Sequence, residues 1–468
     1  MPNLEVASTP RSLEEFAVEF GQLNPDIINK FTPDNLQEVM DDFLSGKIQE
    51  PDTATYSRLD SVDFEAKEQE YAELLEEAKA HPNIPYTHHH VYEDSVNQMI
   101  KINSLMRAAV SYRLAEDTYA KTRAESEFNA LTKELYGQPD VEIAAAMMNE
   151  AIEASEQINE PFIQNIRSEL KQLIPEDLKI DEAIKVAINP SPETRELIDR
   201  TVQEIYGRML VQVHNLVNLM VEEEGLSDEN LKLTPQAIGV IFQTIINEEF
   251  PESGWRVEIA PANAIKVYAP TKTITVPGDR TKASVDKVKG LVVHELGVHM
   301  VRSMIGEGSD LIPLRFGLAG YLEAEEGLAK LLESAVTDDD ARTGYQHYIT
   351  ASLLSSGHDF RETFEIMWRY KILDSYMNKV PKKLGDKFVE REKRNTFKFM
   401  FRSIRGTNKL PWYGTLSYYN GSRKMLDYIE EHREDLDLSV LVFMGKIDPT
   451  KPEHVQTALS AHSEARQL

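Results

Sequence analysis

Residues 289–302 read Lys-Gly-Leu-Val-Val-His-Glu-Leu-Gly-Val-His-Met-Val-Arg. The apolar run Gly290–Val293 and the apolar positions that follow predict a buried helix, with Ser284 as its N-cap and Gly306 as its stop. Within it, His294, Glu295 and His299 place two imidazoles and a carboxylate inside six residues. Two buried histidines and a buried glutamate on one core helix are costly without a partner. Together they are the equipment for holding a zinc ion and activating a water on it.

The spacing makes a structural demand. In the widespread H-E-x-x-H string the histidines are four apart, about 40° around a regular helix. Here they are five apart, about 140°, too far to share one ion. The motif, HExxxH, works only if the helix is locally widened, as in a π-bulge. Gly297 lies between the histidines, where a glycine permits the backbone to deform or a substrate to approach closely. A mid-helix glycine costs about 1 kcal/mol relative to alanine.

Outward from this helix, the preceding segment changes period. Trp255–Ile259, Ala264–Val267 and Thr273–Val276 alternate with period two and are separated by Pro270, Pro277 and Gly278, predicting short strands. A small sheet followed by an active-site helix is the usual layout of zinc peptidases, in which an edge strand can hold an extended peptide. Almost everything else has helical spacing: 64–80 as a charged, solvated helix, 92–135 and 141–158 as amphipathic helices, and 192–224 with Leu197, Ile198, Val202, Ile205, Leu210, Val213, Leu216 and Val217 in phase. His81–His90, with Pro82 and Pro85, reads as a loop, and its triple His88-His89-His90 as polar rather than metal-binding. His214 reads as a core histidine, and His347 and His358 belong to no motif. The fold class expected is α+β, predominantly helical, with a small strand block preceding a zincin-like active-site helix. It divides into a helical region, 1–190, and a catalytic region, 191–468.

Composition limits the chemistry. With no cysteine among 468 residues, thiolate metal sites, disulfides and cysteine nucleophiles are excluded. The formal charge of -27 argues against nucleic acid or anionic membrane as partner by bulk charge. The N-terminus, Met-Pro-Asn-Leu-Glu-Val, has no basic and apolar leader, and no stretch approaches a membrane span, so a cytoplasmic location is expected.

A catalytic zinc needs a third protein ligand and an open position. Candidates lie in Gly320-Tyr-Leu-Glu-Ala-Glu-Glu-Gly-Leu-Ala329. Periodicity groups Glu325 with Tyr321, Leu328 and Leu332, and Glu326 with Leu322 and Ala329. Both stripes can face a core, with a slight preference for Glu325.

These residues resemble the QEGLA-motif metallopeptidase family, which includes the tubulin tyrosine carboxypeptidases of animal cells and many bacterial proteins; this chain is similar to a bacterial-type member. The family string H-E-[IL]-G-x-H-x-x-R appears as His294–Arg302, and its name motif as Glu325-Glu-Gly-Leu-Ala329, with Glu for the first Gln. Leu135-Tyr-Gly137 with Pro139, Phe401-Arg-Ser-Ile-Arg-Gly406 and Tyr418-Tyr-Asn-Gly421 extend the resemblance to about residues 30–450. It implies a carboxypeptidase-like zinc metallopeptidase with His294, His299 and Glu326 as ligands and Glu295 as general base toward a water on the metal, acting on a peptide or protein C-terminus. A cation would hold the substrate carboxylate; Arg402, Arg405 and Lys409 are candidates. Tyr418 is either a donor to the developing oxyanion or a packed tyrosine. Arg302 orients a ligand or forms an ion pair; Glu325 is expected to support the ligands beside it, the alternative being that Glu325 and Glu326 are both surface acids. The segment Trp412–Ser417 departs from the family string at that place and is expected to line the substrate site, so substrate identity does not carry over; the acidic chain also fits poorly with acidic tails. A reading of another class also stands: a catalytically silent metal-binding regulatory or scaffold protein.

Overall fold

The computed structural model describes residues 11–22, 27–178, 184–224, 232–262, 264–279, 282–337, 342–378 and 385–465. The N-terminal string Met1–Val6 and Pro25 lie outside them.

Helices dominate, and the sequence periods locate most of them. The segment 64–80 is the helix Phe64–Ala80, capped by the Asp63 side chain accepting from the Ala66 amide. It is followed by His89–Leu114, Thr118–Tyr136, Val141–Ser155 and the long helix Pro192–Glu224. The His81–His90 reading needs correction. A 3-10 turn, Tyr86–His88, leads directly into a helix that starts at His89, and His88 is buried. Pro85 stands just before the turn, where its missing N–H interrupts no helical hydrogen bond. His214 is likewise not a core residue. The buried stripe of its helix runs Ile198, Val202, Tyr206, Met209, Val213 and Val217, and His214 faces solvent, bonded to Asn218 one turn on.

The expected strands form one three-stranded sheet with Thr273–Pro277 in the centre. Arg256–Ala260 pairs with it in parallel and Lys266–Tyr268 antiparallel. Ile274 and Val276 of the central strand are fully buried, and the helix Pro235–Glu249 packs on the sheet. There Gly239 admits the Ile259 side chain, whose Cδ1 would lie 2.8 Å from a Cβ.

The buried apolar residues make one continuous cluster running from Phe16 to Ala461. Phe43 meets Phe360, Phe364 and Phe397 edge-on or tilted at 5.1–5.2 Å, and the Tyr56 hydroxyl donates to Asn408 at 2.7 Å. The N-terminal helices are therefore packed into the core that carries the motif, and their placement braces it. Among the described residues no helix is long and apolar enough to cross a membrane.

Candidate metal centre and adjoining cleft

The motif helix begins where the sequence places it, with the Ser284 hydroxyl accepting from the Lys287 amide. Val285–Leu291 is α-helical, Val292–Met300 is π-helical, and Val301–Glu307 returns to α. The five-residue spacing is thus met by a widened stretch spanning the whole motif, not by a single bulge. Its effect is visible in the rings: His294 and His299 stand 4.8 Å apart, centroid to centroid, at 76°.

Two details differ from the sequence reading. The helix runs past Gly306 and ends at Gly308. Gly306 instead lets the chain cross against Leu314, whose carbonyl oxygen would lie 2.2 Å from a Cβ. Gly297 faces the protein interior and not a substrate: the Tyr206 ring packs on it, 2.6 Å from where a Cβ would stand, and the Tyr206 hydroxyl donates to the Gly297 carbonyl at 3.0 Å. That donation gives a hydrogen-bonding partner to one carbonyl within the widened stretch.

The helix Leu322–Glu333 lies across this one. Glu326 faces both imidazoles, its two oxygens each 3.7 Å from an Nε2, one on His294 and one on His299. Glu325 points elsewhere. It sits behind His299, 2.9 Å from Nδ1, and accepts from Arg302 Nη1 at 2.9 Å and from Lys446. The periodicity preference for Glu325 is correct about burial and wrong about direction. Arg302 is fully buried and also donates to the Ile447 carbonyl at 2.8 Å. His294 has a matching arrangement: its Nδ1 is 3.0 Å from Glu333.

The charge states follow from these partners. Burial pushes the Glu325 carboxyl up, but Lys446, Arg302 and the His299 hydrogen bond outweigh it and hold the group well below the usual carboxylate range. Glu333 is depressed in the same way, burial being overcome by His294, Lys330 and Lys287. An ionised carboxylate only accepts, so each ring points an Nδ1 hydrogen at its glutamate and leaves Nε2 as the atom that faces Glu326. Burial lowers the His299 pKa, but the Glu325 hydrogen bond and the charges of Glu326 and Glu325 outweigh it and raise it. The two Nε2 atoms and the Glu326 carboxylate therefore converge. Tetrahedral zinc with ordinary bond lengths separates its ligands by about 3.4 Å, close to the 3.7 Å found, and a nitrogen–oxygen donor set without thiolate suits the ion. The residues present fit zinc.

Glu295 completes the group, its carboxylate within 4.8 Å of ligand atoms on both histidines. It is 9% exposed, and burial raises its pKa, with further upward pressure from Glu326 and Glu333 against the downward pull of the two histidines. Tyr418 lies in the same field. Its hydroxyl is pushed up to about 12, first by the Glu326 charge and then by burial, with Arg402 and Arg405 pulling the other way. It stays a proton donor at neutral pH.

A cleft of about 700 Å³ carries Arg402 and Arg405, and none of His294, Glu295, His299, Glu326 or Tyr418 lines it. Lys282, Lys287, Lys398, Arg402 and Arg405 line it against one carboxylate, Asp279, and Phe31 and Leu36 of the N-terminal region form part of its wall. Lys287 lines the cleft and its ammonium bonds Glu333 at 2.6 Å, on the Nδ1 side of His294. Arg405 is largely enclosed; its guanidinium lies 4.3 Å over the Trp412 ring, and burial and the neighbouring Arg402 lower its pKa to about 10. Lys409, the third candidate cation, is exposed and does not line the cleft. Nor does any residue of Trp412–Ser417. Within that segment, the Trp412 ring carries the Arg405 guanidinium.

Glu333, Lys287 and Lys446 belong to no motif. A signal for Glu333 does exist, because it falls seven residues after Glu326 and so on the same face of the helix. Lys446 is 121 residues from the glutamate it contacts, and the sequence carries no sign of it.

Residues 205–376 match the family described as microtubule-associated tyrosine carboxypeptidase. The resemblance read from the motifs is borne out over that segment. It contains His294, Glu295, His299, Glu325, Glu326 and Glu333, and ends before Arg402, Arg405 and Tyr418. No curated protein and no solved structure matches the chain.

Proposed function

We propose that the chain is a zinc-dependent metallopeptidase of carboxypeptidase type. The observation that carries the reading is the convergence of His294 Nε2, His299 Nε2 and the Glu326 carboxylate beside a buried, upward-shifted Glu295. The family match over 205–376 supports a peptidase.

Bound at these three ligands, zinc would supply a Lewis acid that polarises the scissile carbonyl and makes water acidic enough to attack near neutral pH. Glu295 accepts the proton of the attacking water as its oxygen bonds the carbonyl carbon. It then delivers that proton to the amine as the C–N bond breaks. A raised pKa suits both transfers. The Tyr418 hydroxyl donates to the oxyanion while it develops. Arg402 and Arg405 seat the substrate's C-terminal carboxylate, and Arg offers a planar fork for it. These residues all lie in the proposed catalytic region, 191–468, and the region 1–190 contributes the wall around Phe31 and Leu36. The local excess of cations overrides the chain's overall negative charge, so a C-terminus with acidic neighbours is a compatible substrate.

The reading is tested on purified protein with peptides carrying free or amidated C-termini. Release of C-terminal residues from the free form, lost on zinc removal and restored by added zinc, is the expected result. Intact peptides in the presence of zinc would refute it.

A further inference from the structure

Each imidazole of the cluster is gripped from behind by a carboxylate, and only one of these carboxylates lies in a motif. Glu333 is 1% exposed. One of its oxygens meets His294 Nδ1 at 3.0 Å and Lys330 Nζ at 2.8 Å, and the other meets Lys287 Nζ at 2.6 Å. Gly290, one turn before His294, leaves room for it: a Cβ there would stand 3.0 Å from Glu333 Cγ. The pattern repeats at His299, where Glu325, also 1% exposed, has Arg302 and Lys446 as its two cations. A buried carboxylate costs several kcal/mol unless it is paired and hydrogen-bonded, and here the fold supplies two cations to each.

We infer that Glu333 is a positioning residue for His294: by accepting the Nδ1 hydrogen while anchored to Lys287 and Lys330, it fixes the ring so that Nε2 faces Glu326 and the metal. The inference rests on the zinc reading. Partners of this kind fix tautomer and ring orientation and raise ligand basicity, and losing one weakens metal binding about 10–100-fold. Lys287 and Lys330 keep part of their side chains in solvent, so both can turn outward when the carboxylate is removed.

The test is zinc affinity, measured by chelator competition on metal-free wild type, Glu333→Leu and Glu333→Gln, alongside thermal unfolding of the metal-free proteins. Wild type binds one zinc, Glu333→Leu binds it 10–100-fold more weakly, and Glu333→Gln, which keeps an acceptor but not the charge, falls between them. The cobalt-substituted Gln variant shows a shifted visible absorption band, a readout that serves if the Leu variant does not fold. Unchanged zinc affinity in both variants, or a lower melting temperature with unchanged affinity and cobalt spectrum, overturns the inference and leaves the zinc reading standing. Failure of wild type to bind zinc overturns both, and is told apart because it appears without any substitution.

Discussion

Gly327 and Gly421 touch backbone to backbone: a Cβ on Gly327 would lie 2.0 Å from the Gly421 carbonyl oxygen, and one on Gly421 would lie 2.0 Å from the carbonyl oxygen of Glu323. Two short motifs far apart in the chain, Glu325–Ala329 and Tyr418–Gly421, thereby become one contact. Helices normally pack 8–10 Å apart according to the side chains between them, and glycine at both positions allows the closest approach. The contact brings Tyr418 into the field of Glu326. Gly327→Ala or Gly421→Ala must push the helices apart, because the obstacle is backbone and cannot rotate away. Each is expected to destabilise the protein by about 3 kcal/mol, read by denaturant unfolding, and to lower peptidase activity in the fraction that stays folded.

Tyr418 donates to the oxyanion in this account and does not build the core. Tyr418→Phe should leave the unfolding midpoint and zinc content at wild-type values. kcat should drop about 100-fold, the cost typical of losing one oxyanion donor, with little change in KM. A large loss of stability with normal kcat would assign the tyrosine to packing.

Arg402 and Arg405 should discriminate substrates by their C-terminal charge. Alanine at either position is expected to raise KM at least 10-fold for peptides with a free C-terminal carboxylate, and to change turnover of amidated peptides little, since a charged hydrogen bond contributes about 1.5–3 kcal/mol. Arg405→Lys should not rescue, because a lysine ammonium cannot reproduce the flat stack on Trp412. Steady-state kinetics on paired free and amidated peptides checks this.

His347 gives the stability a dependence on acid. Its ring lies 5.8 Å from that of Tyr418, and burial, followed by Arg402, Arg405 and Lys371, depresses its pKa to about 3. A histidine lowered in the folded state is neutral there while the unfolded chain, titrating near 6.5, takes up a proton. Its stabilising balance is therefore intact above about pH 6.5 and is lost progressively as pH falls toward 3. At pH 5 the loss reaches about 2 kcal/mol at most. His347→Gln should unfold with a flatter pH dependence than wild type between pH 7 and 4. Parallel curves would contradict it.

Much of the fold was legible because it rests on local pattern. Period-two runs marked the three strands, helical periods marked Phe64–Ala80 and Pro192–Glu224, and the five-residue histidine spacing required a widened helix that the structure supplies over Val292–Met300. What escaped depends on partners distant in the chain. Gly297 is explained by Tyr206, 91 residues earlier. Choosing between Glu325 and Glu326 needs to know which side of His299 each reaches, and the periodicity of one helix does not contain that. The stacking of Trp412 on Arg405 is a tertiary contact that no local pattern announces. Net charge is silent about the cleft, because a bulk sum says nothing of where cations gather.

Glu295 bears the central claim, and it sits close enough to the histidines to serve either as base or as a fourth ligand. Zinc content and peptidase activity of Glu295→Gln, measured on the same preparation, separate the two. This account predicts one zinc per chain with affinity near that of wild type and activity reduced at least 1,000-fold, on the order of losing an essential acid–base group. Loss of zinc together with activity would make Glu295 a ligand that closes the site, and zinc retained with full activity would remove it from the chemistry; either result contradicts the account.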